Sequence, residues 1–498
     1  MLLERHFPGT TTCVLVGGLG GETEADFRAY KALLWFVDDE TKGIRPPGIA
    51  RESIHVMGTA DADLREVSSA ILALISRDAR RLPSVFVTKD AASGNASAYK
   101  AILGQVHDSI ELQHRARETR QKDGFTWQKH VLLNAPRYAQ RRLPPSWEGM
   151  LKGIPAFVCG AGPSLDASCG ALAAVAGQGI IFSADSALRA LARRGIPADF
   201  AVSIDAAKTP EKCLAPDMPA PRVILSGVSP PAWGEAVAQD RQYFVSNRQV
   251  TLDLLAAKGL PKTNVSATES CGSTALEIAR FMGCSPIYLF GMDLALDPAS
   301  PSSRHNSAAD ATVYAASGFN FEQKYPLVPG NFGKELPTHI IGDLRALNRR
   351  LSEWPFGLVV NVNDRGARLD NATLVAPADL SVRSPAIDKH RLLDGLAKPA
   401  PVSRESLSSS LGSLRALGEA GIEAMAAPRR ALEQGGPSAA AAELRRLFSQ
   451  GDFGRAMGAF SLKAMPHLVM PVEGDALFWG GLLGELDELV RIAASIVF

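Results

Sequence analysis

No two of the six cysteines form a C-x-x-C pair; they stand at Cys13, Cys159, Cys169, Cys213, Cys271 and Cys284. That spacing argues against a zinc knuckle or a disulfide framework. Free thiols in a chain of this size suit a reducing compartment, so a cytoplasmic location is expected. An excess of either charge is missing too. Lys and Arg number 53 against 52 Asp and Glu, a net charge of +1. No global field favours nucleic acid or an anionic membrane surface, and neither is expected as a partner. Long apolar runs are lacking. The first follows Glu4, Arg5 and His6 and covers only about six residues, too short for a signal peptide or a membrane span.

What remains is ordinary globular material. Hydrophobic residues make up 46% and charged residues 21% of 498, enough chain for about three domains. The most informative stretch is "GIPAFVCGAGPSLDASCGALAAVAG", residues 153–177. Residues 154–159 read as a short buried strand. Gly160, Ala161, Gly162 and Pro163 force a turn, and a small-residue helix is predicted over 167–176. Strand, glycine turn and helix N-terminus together make a common anion-binding device, because free N–H groups and the helix dipole both favour negative charge. The same turn is also a plain structural connection. It lacks the Gly-Lys-Ser/Thr of a P-loop and the third glycine of a dinucleotide fingerprint.

Ahead of it, residues 1–145 read as a small α/β region. Residues 12–16 look like a strand, followed by "GGLGGETEADF". Gly17, Gly18, Gly20 and Gly21 admit a second anion loop or a flexible turn. The turn is preferred, since no clear βαβ unit follows. Helices are predicted over 25–37 and 63–77, and a strand over 83–88. Residues 97–141 form a long charged helical stretch broken near Gly124. His107 and His114 share a face of it without a third ligand nearby, so no metal is assigned.

Residues 146–378 alternate strand and helix. Further strands are predicted at 179–183, 200–204, 222–225, 242–245, 286–290 and 358–362, with helices at 186–194, 250–258, 273–282 and 342–353. Short, continuous apolar strands interleaved with helices imply an α/β fold with a doubly wound, mainly parallel Rossmann-like sheet. Ligands of such sheets bind beyond the strands' carboxyl ends. Asp185, Asp205, Asn247 and Asp293 fall there, although Asp and Asn are also common caps and turn formers. Residues 379–498 change to helical periodicity broken by Pro and Gly, as in a helical bundle. The last helix, over 474–497, carries Leu482, Leu486, Leu489 and Ile492 on one face. No catalytic constellation appears there, so packing, self-association or partner binding is assigned.

Three stretches in order carry a resemblance: "GIPAFVCGAGPSLD", "IIFSADSALRALARRGIPADFAVSID" and "ATESCGSTALEIARFMGCSPIYLFGMDLAL". Over about residues 125–375 the chain resembles the motility-associated (Maf) flagellin glycosyltransferases. Their central domain is shared with archaeal 6-hydroxymethylpterin diphosphokinases and is similar in fold to bacterial sialyltransferases that use CMP-sialic acid. The resemblance implies transfer of a nonulosonic acid, pseudaminic or legionaminic, from its CMP donor to Ser or Thr of flagellin, in support of flagellar assembly and motility. It places Gly160, Ala161, Gly162, Pro163 and Ser164 at the nucleotide, with Asp185, Asp205, Gly272, Ser273, Thr274 and Asp293 around it. It puts His305 and Ser270 among the catalytic residues, with a neutral histidine taking the acceptor's proton. For Ser270 the competing reading is a helix N-cap. Two other functions stay open. A pterin or nucleotide diphosphokinase would want Mg²⁺ held by Asp185, Asp205 and Asp293. A non-catalytic flagellin-binding factor would need no chemistry.

Overall fold

The computed structural model describes residues 2–5, 10–18, 30–37, 54–58, 64–76, 82–88, 91, 97–297, 305–308, 325–469 and 475–498. By packing, the chain divides into two compact units, Met1–Gly124 with Leu462–Gly474, and Phe125–Ser461 with Asp475–Phe498. The segments 1–145, 146–378 and 379–498 read from composition are grouped differently by these contacts. Much of the chain after residue 379 packs in the same unit as the sheet. Leu393 and Leu396 are part of the sheet's own core. Trp147 Nε1 donates to the Ala397 carbonyl at 2.8 Å, and Lys389 Nζ lies 2.7 Å from Asp199.

Among the described residues the first unit holds five strands: β1 (Leu2–Arg5), β2 (Thr12–Val16), β3 (Ala32–Val37), β4 (Ile54–Gly58) and β5 (Ser84–Val87), in the order β1-β5-β2-β3-β4. All neighbours are parallel except β1 against β5. The helix predicted over 25–37 is overturned where it is described. Its second half, "ALLWFV", is β3 and is buried along its whole length, because six consecutive apolar residues suit a strand covered on both faces. Residues 25–29 lie outside the described residues, as do Gly20, Gly21 and Thr23. The helices Leu64–Ser76 and Ser97–Gln140 cover one face with Val67, Ile71, Tyr99, Ile102 and Val106. Gly17 sits at φ +109° and a Cβ there would overlap Thr88, a sufficient structural reason for glycine. The break anticipated near Gly124 does not occur. The helix Ser97–Gln140 runs through both Gly124 and Pro136, since about 1 kcal/mol of glycine penalty is small against burial of its apolar faces.

The second unit is built on an eight-stranded sheet. Its strands are β6 (Ala156–Cys159), β7 (Ile180–Ala184), β8 (Phe200–Ser203), β9 (Arg222–Leu225), β10 (Gln242–Phe244), β11 (Ile287–Phe290), β14 (Val359–Val362) and β15 (Thr373–Val375). A hairpin, β12 (Leu327–Pro329) and β13 (Glu335–Pro337), lies between β11 and β14 in sequence. The order is β10-β9-β8-β7-β6-β11-β14-β15, and every pair is parallel. The sheet grows from β6 outward through β10, then restarts on the other side of β6 with β11. The strand order therefore reverses between β6 and β11, which opens a crevice at their carboxyl ends. β15 and the hairpin were not anticipated from sequence; three-residue strands carry almost no periodicity.

Alternation puts Val158, Phe182, Val202, Leu289 and Val359 on one face, beneath the helices Cys271–Phe281 and Ile341–Ser352. Phe157, Cys159, Ile181, Phe290 and Val362 face the other way, beneath the helix Ser164–Val175. A buried amide ties the segment around Ala456 and Ala459 to this unit. Gln128 is 0% exposed. Its Nε2 donates to the Ala456 carbonyl at 2.9 Å and to Thr251 Oγ1 at 3.2 Å, and its Oε1 accepts from Ala459 N at 2.8 Å. Replacing Gln128 by Leu strands the buried Ala459 amide, at a cost of about 1–3 kcal/mol, while the Ala456 carbonyl keeps its bond from Thr251 Oγ1 at 3.1 Å. Urea titration of Gln128→Leu is expected to show a lower midpoint at unchanged slope; an unaltered midpoint would show the bonds to be dispensable.

Candidate functional site

At the reversal point the turn after β6 interlocks with the turn after β11. Gly160 N donates to Phe290 O at 2.7 Å and Gly162 N to Gly291 O at 2.8 Å. Asp293 reaches back across them. Its Oδ2 accepts from Ser164 N at 2.8 Å, and its Oδ1 from Ser164 Oγ at 2.5 Å and from Asn363 Nδ2 at 2.8 Å. Ser164 opens the helix Ser164–Val175, so the carboxylate of Asp293 occupies that N-terminus in the way an external anion would. Asp293 is 3% exposed. Burial pushes its pKa up, while the Ser164 and Asn363 bonds pull it down.

Three glycines make this closeness possible. A Cβ on Gly162 would overlap the Asp293 carboxylate, one on Gly160 would meet Gly291 O and Met292 Sδ, and Gly291 has φ +63° with Gly160 O against it. The N–H groups of Gly160, Gly162 and Ser164 thus face the protein, and Pro163 has none. Ala161 N is the amide of this turn with no partner among the described residues.

A second carboxylate lies under the neighbouring helix. Asp185 follows β7 and is 2% exposed. Its Oδ1 accepts from Ser186 N at 2.6 Å and Ser186 Oγ at 3.0 Å. Its Oδ2 accepts from Ser203 Oγ at 2.8 Å and Cys271 Sγ at 3.4 Å. Burial raises the Asp185 pKa, opposed by the Ser203 bond. The Cys271 thiol is pushed well up by burial and by Asp185, so it is held as a neutral donor. Asp205, after β8, does not join them: it is exposed and accepts from Ala207 N at 2.9 Å in a local turn.

The helix Cys271–Phe281 brings its N-terminus to the same place. A Cβ on Gly272 would strike Met292 Sδ and lie 3.7 Å from Gly160 Cα. Ser270 is the N-cap, accepting from Ser273 N at 3.1 Å, and its hydroxyl also donates to Ser273 Oγ at 3.1 Å. Ser273 and Thr274 are fully buried. Thr274 Oγ1 donates to Ser270 O at 2.8 Å. The side chains of Ser270, Ser273 and Thr274 are therefore engaged within the turn. Cys271 N and Gly272 N carry no partner among the described residues.

Residues 305–308 close one side. Asn306 N and Nδ2 donate to Ala161 O at 2.9 and 3.1 Å, and Nδ2 also reaches Ser186 O at 3.2 Å. Ser307 N and Oγ donate to Asp166 at 2.7 and 3.1 Å. His305, half-buried, precedes these anchors directly. Ser303 and Arg304 lie outside the described residues.

These elements form the crevice in which open parallel sheets bind ligands, within one family-level match. Residues 129–298 match the 6-hydroxymethylpterin diphosphokinase MptE-like family. The MptE-like region takes in every candidate site residue except His305. The chain is also similar in fold to a solved MAf glycosyltransferase from Magnetospirillum magneticum AMB-1. The two share 16% identity and a TM-score of 0.54, with 99% of this chain and 79% of that one covered. A comparison with curated proteins gave no match. Both positive findings agree with the family resemblance carried by the three sequence motifs.

Within the MptE-like region the residues that sequence reasoning missed are supports. Ser203 and Cys271 hold Asp185, and Met292 fills the space that Gly160 and Gly272 leave. Asn363, beyond that region, holds Asp293. Asn363 follows β14 directly, so the strand-end rule that found Asp293 also points to it. Among the described residues no group of three or more His, Cys, Asp or Glu is arranged to hold a metal ion.

Asp185 and Asp293 both have pKa values raised by burial. Above the ordinary value of 3.8 the folded chain keeps protons that the unfolded chain has released, so these groups lower stability as pH rises through that window. Asn at 185 preserves an acceptor for Ser186 and lets the Ser203 hydroxyl accept instead. Thermal melts from about pH 4 upward are expected to show a flatter stability profile in Asp185→Asn than in the parent; parallel profiles would refute the burial cost.

Proposed function

We propose that this protein is a glycosyltransferase of the Maf type, moving a nonulosonic acid from its CMP donor to Ser or Thr of flagellin. The observation that carries the proposal is the meeting of the glycine turn and the Cys271–Phe281 helix N-terminus at the β6/β11 crevice, together with the whole-chain likeness to a MAf glycosyltransferase. The donor's phosphate would lie against Ala161 N, Cys271 N and Gly272 N, the amides left without partners among the described residues. Amides fixed in place cost no reorganisation when charge builds on the departing phosphate. The bond from the anomeric carbon to the phosphate oxygen breaks and CMP leaves with the electron pair. The acceptor hydroxyl oxygen forms the new bond and its proton passes to His305. Asp293 and Asp185 hold the turns in register and touch neither substrate.

A second reading is favoured by one observation, the family match to 6-hydroxymethylpterin diphosphokinase MptE-like proteins. Pyrophosphoryl transfer calls for Mg²⁺ on carboxylates. The carboxylates do not fit that task. All four oxygens of Asp185 and Asp293 are engaged by Ser, Asn and Cys donors, and Asp205 stands apart at the surface. A CMP leaving group carries a single phosphodiester, which helix N–H groups stabilise without a cation.

Incubation with flagellin, CMP-pseudaminic acid and EDTA, read by intact mass of flagellin, separates the readings. Transfer is expected to survive EDTA and to fall about 10²–10⁴-fold in His305→Ala, the range for a lost acid–base group. Mg²⁺-dependent pyrophosphoryl transfer to a pterin would establish the second reading. CMP binding without turnover on any acceptor would leave a flagellin-binding factor.

A further inference from the structure

A cavity of about 340 Å³ opens beside β14. Its lining includes Asn331, Asn361, Arg368, Asp370, Asn371 and Leu374. Asn361 sits inside β14, paired in register with Leu289 on one side and Leu374 on the other. It is 1% exposed. Among the described residues neither its Nδ2 nor its Oδ1 has a hydrogen-bond partner. A buried amide left unpaired costs about 1–3 kcal/mol for each group, and an apolar residue would serve a strand interior better. We infer that Asn361 is kept for a ligand, and that this cavity binds a neutral, polyhydroxylated molecule of monosaccharide size.

The chemistry of the walls selects that class. Asn331 Nδ2 is held by Arg365 O at 2.6 Å, and Asn371 Nδ2 by Leu351 O and Trp354 O at 2.7 and 2.8 Å. Each side chain is therefore fixed by its nitrogen, and its Oδ1 accepts nothing from the described residues. Asn361 adds a donor and an acceptor together, the pairing that vicinal hydroxyls match. Arg368 Nη2 and Asp370 Oδ1 lie 3.9 Å apart, so their charges offset one another and neither an anion nor a cation is called for. Leu374 offers an apolar wall for the C–H face of a sugar. The volume stands at the small end of the range for ligand sites, too small for a nucleotide-sugar. None of this rests on the glycosyltransferase reading.

The test uses the full chain and N-acetylglucosamine as the probe, followed by saturation-transfer NMR, with CMP titrated separately. N-acetylglucosamine is expected to bind the parent and to lose at least about tenfold in affinity in Asn361→Leu, since a site built to hydrogen-bond hydroxyls depends on the amide. CMP affinity is expected to be unchanged. Should Asn361→Leu fail to fold, Leu374→Trp, at a position already 37% exposed, fills the cavity from its rim and is expected to abolish sugar binding. No transfer to the parent, or equal affinity in the parent and either folded variant, overturns the proposal. Preference for N-acetylneuraminic acid over N-acetylglucosamine would overturn its neutral-ligand part.

Discussion

One buried carboxylate organises the centre of the larger unit. Asp293 accepts from the Ser164 amide and hydroxyl and from Asn363, and its own carbonyl accepts from Ala367 N at 2.7 Å. The ends of β6, β11 and β14 are thereby tied at one residue. The surrounding glycines follow from that crowding. Gly162 leaves room for the carboxylate, and Gly366, at φ +77°, has Asp293 Cα and Oδ1 where its Cβ would be. Several hydrogen bonds are what let a carboxyl stay in so dry a position.

That arrangement changes what the glycine turn can offer a ligand. An anion loop works by pointing free amides outward, yet most amides of residues 160–164 point at β11 or at Asp293. The Ser164 helix has its dipole answered from inside the protein. The amides without partners among the described residues are that of Ala161 and the first two of the adjacent helix, at Cys271 and Gly272, and Gly272 packs against Met292 and Gly160. Asp185 sits below them, bonded to Cys271. Its charge partly offsets the field of that helix, and the raised pKa of both groups reflects the same competition between burial and negative charge.

Much of this was legible in the chain because parallel strands announce themselves. Seven of the eight sheet strands coincide with predicted apolar runs to within about two residues, and the polar residues after them fall at the carboxyl edge as the doubly wound pattern requires. That Ser270 caps its helix was not decided by the chain alone, since a serine before a helix reads the same way as cap or as site residue. Nor was the commitment of the loop amides to β11, which depends on strand order, a long-range property. β3 was misread because "ALLWFV" is buried on both faces and such a run has neither the period of a helix nor that of a half-exposed strand. The grouping of the residues after 379 with the sheet involves long-range contacts such as those of Gln128, Lys258 and Leu393, which no local pattern announces.

β14 separates two uses of the same side chain. Asn361 and the residue two further on, Asn363, share a face, because side chains alternate along a strand. Asn363 stands where the strand ends and finds Asp293 within 2.8 Å. Asn361 stands one pleat earlier, between Leu289 and Leu374 in the ladder, where the sheet supplies no polar neighbour. Burial is equal for the two, at 1% and 0% exposure, so hydration does not distinguish them. What differs is the presence of a partner. The satisfied amide is accounted for by the constraint that orders the crevice, and the unsatisfied one is not accounted for by the fold at all. Polar groups that packing does not require are where a fold leaves room for chemistry, and on this strand the two kinds lie two residues apart.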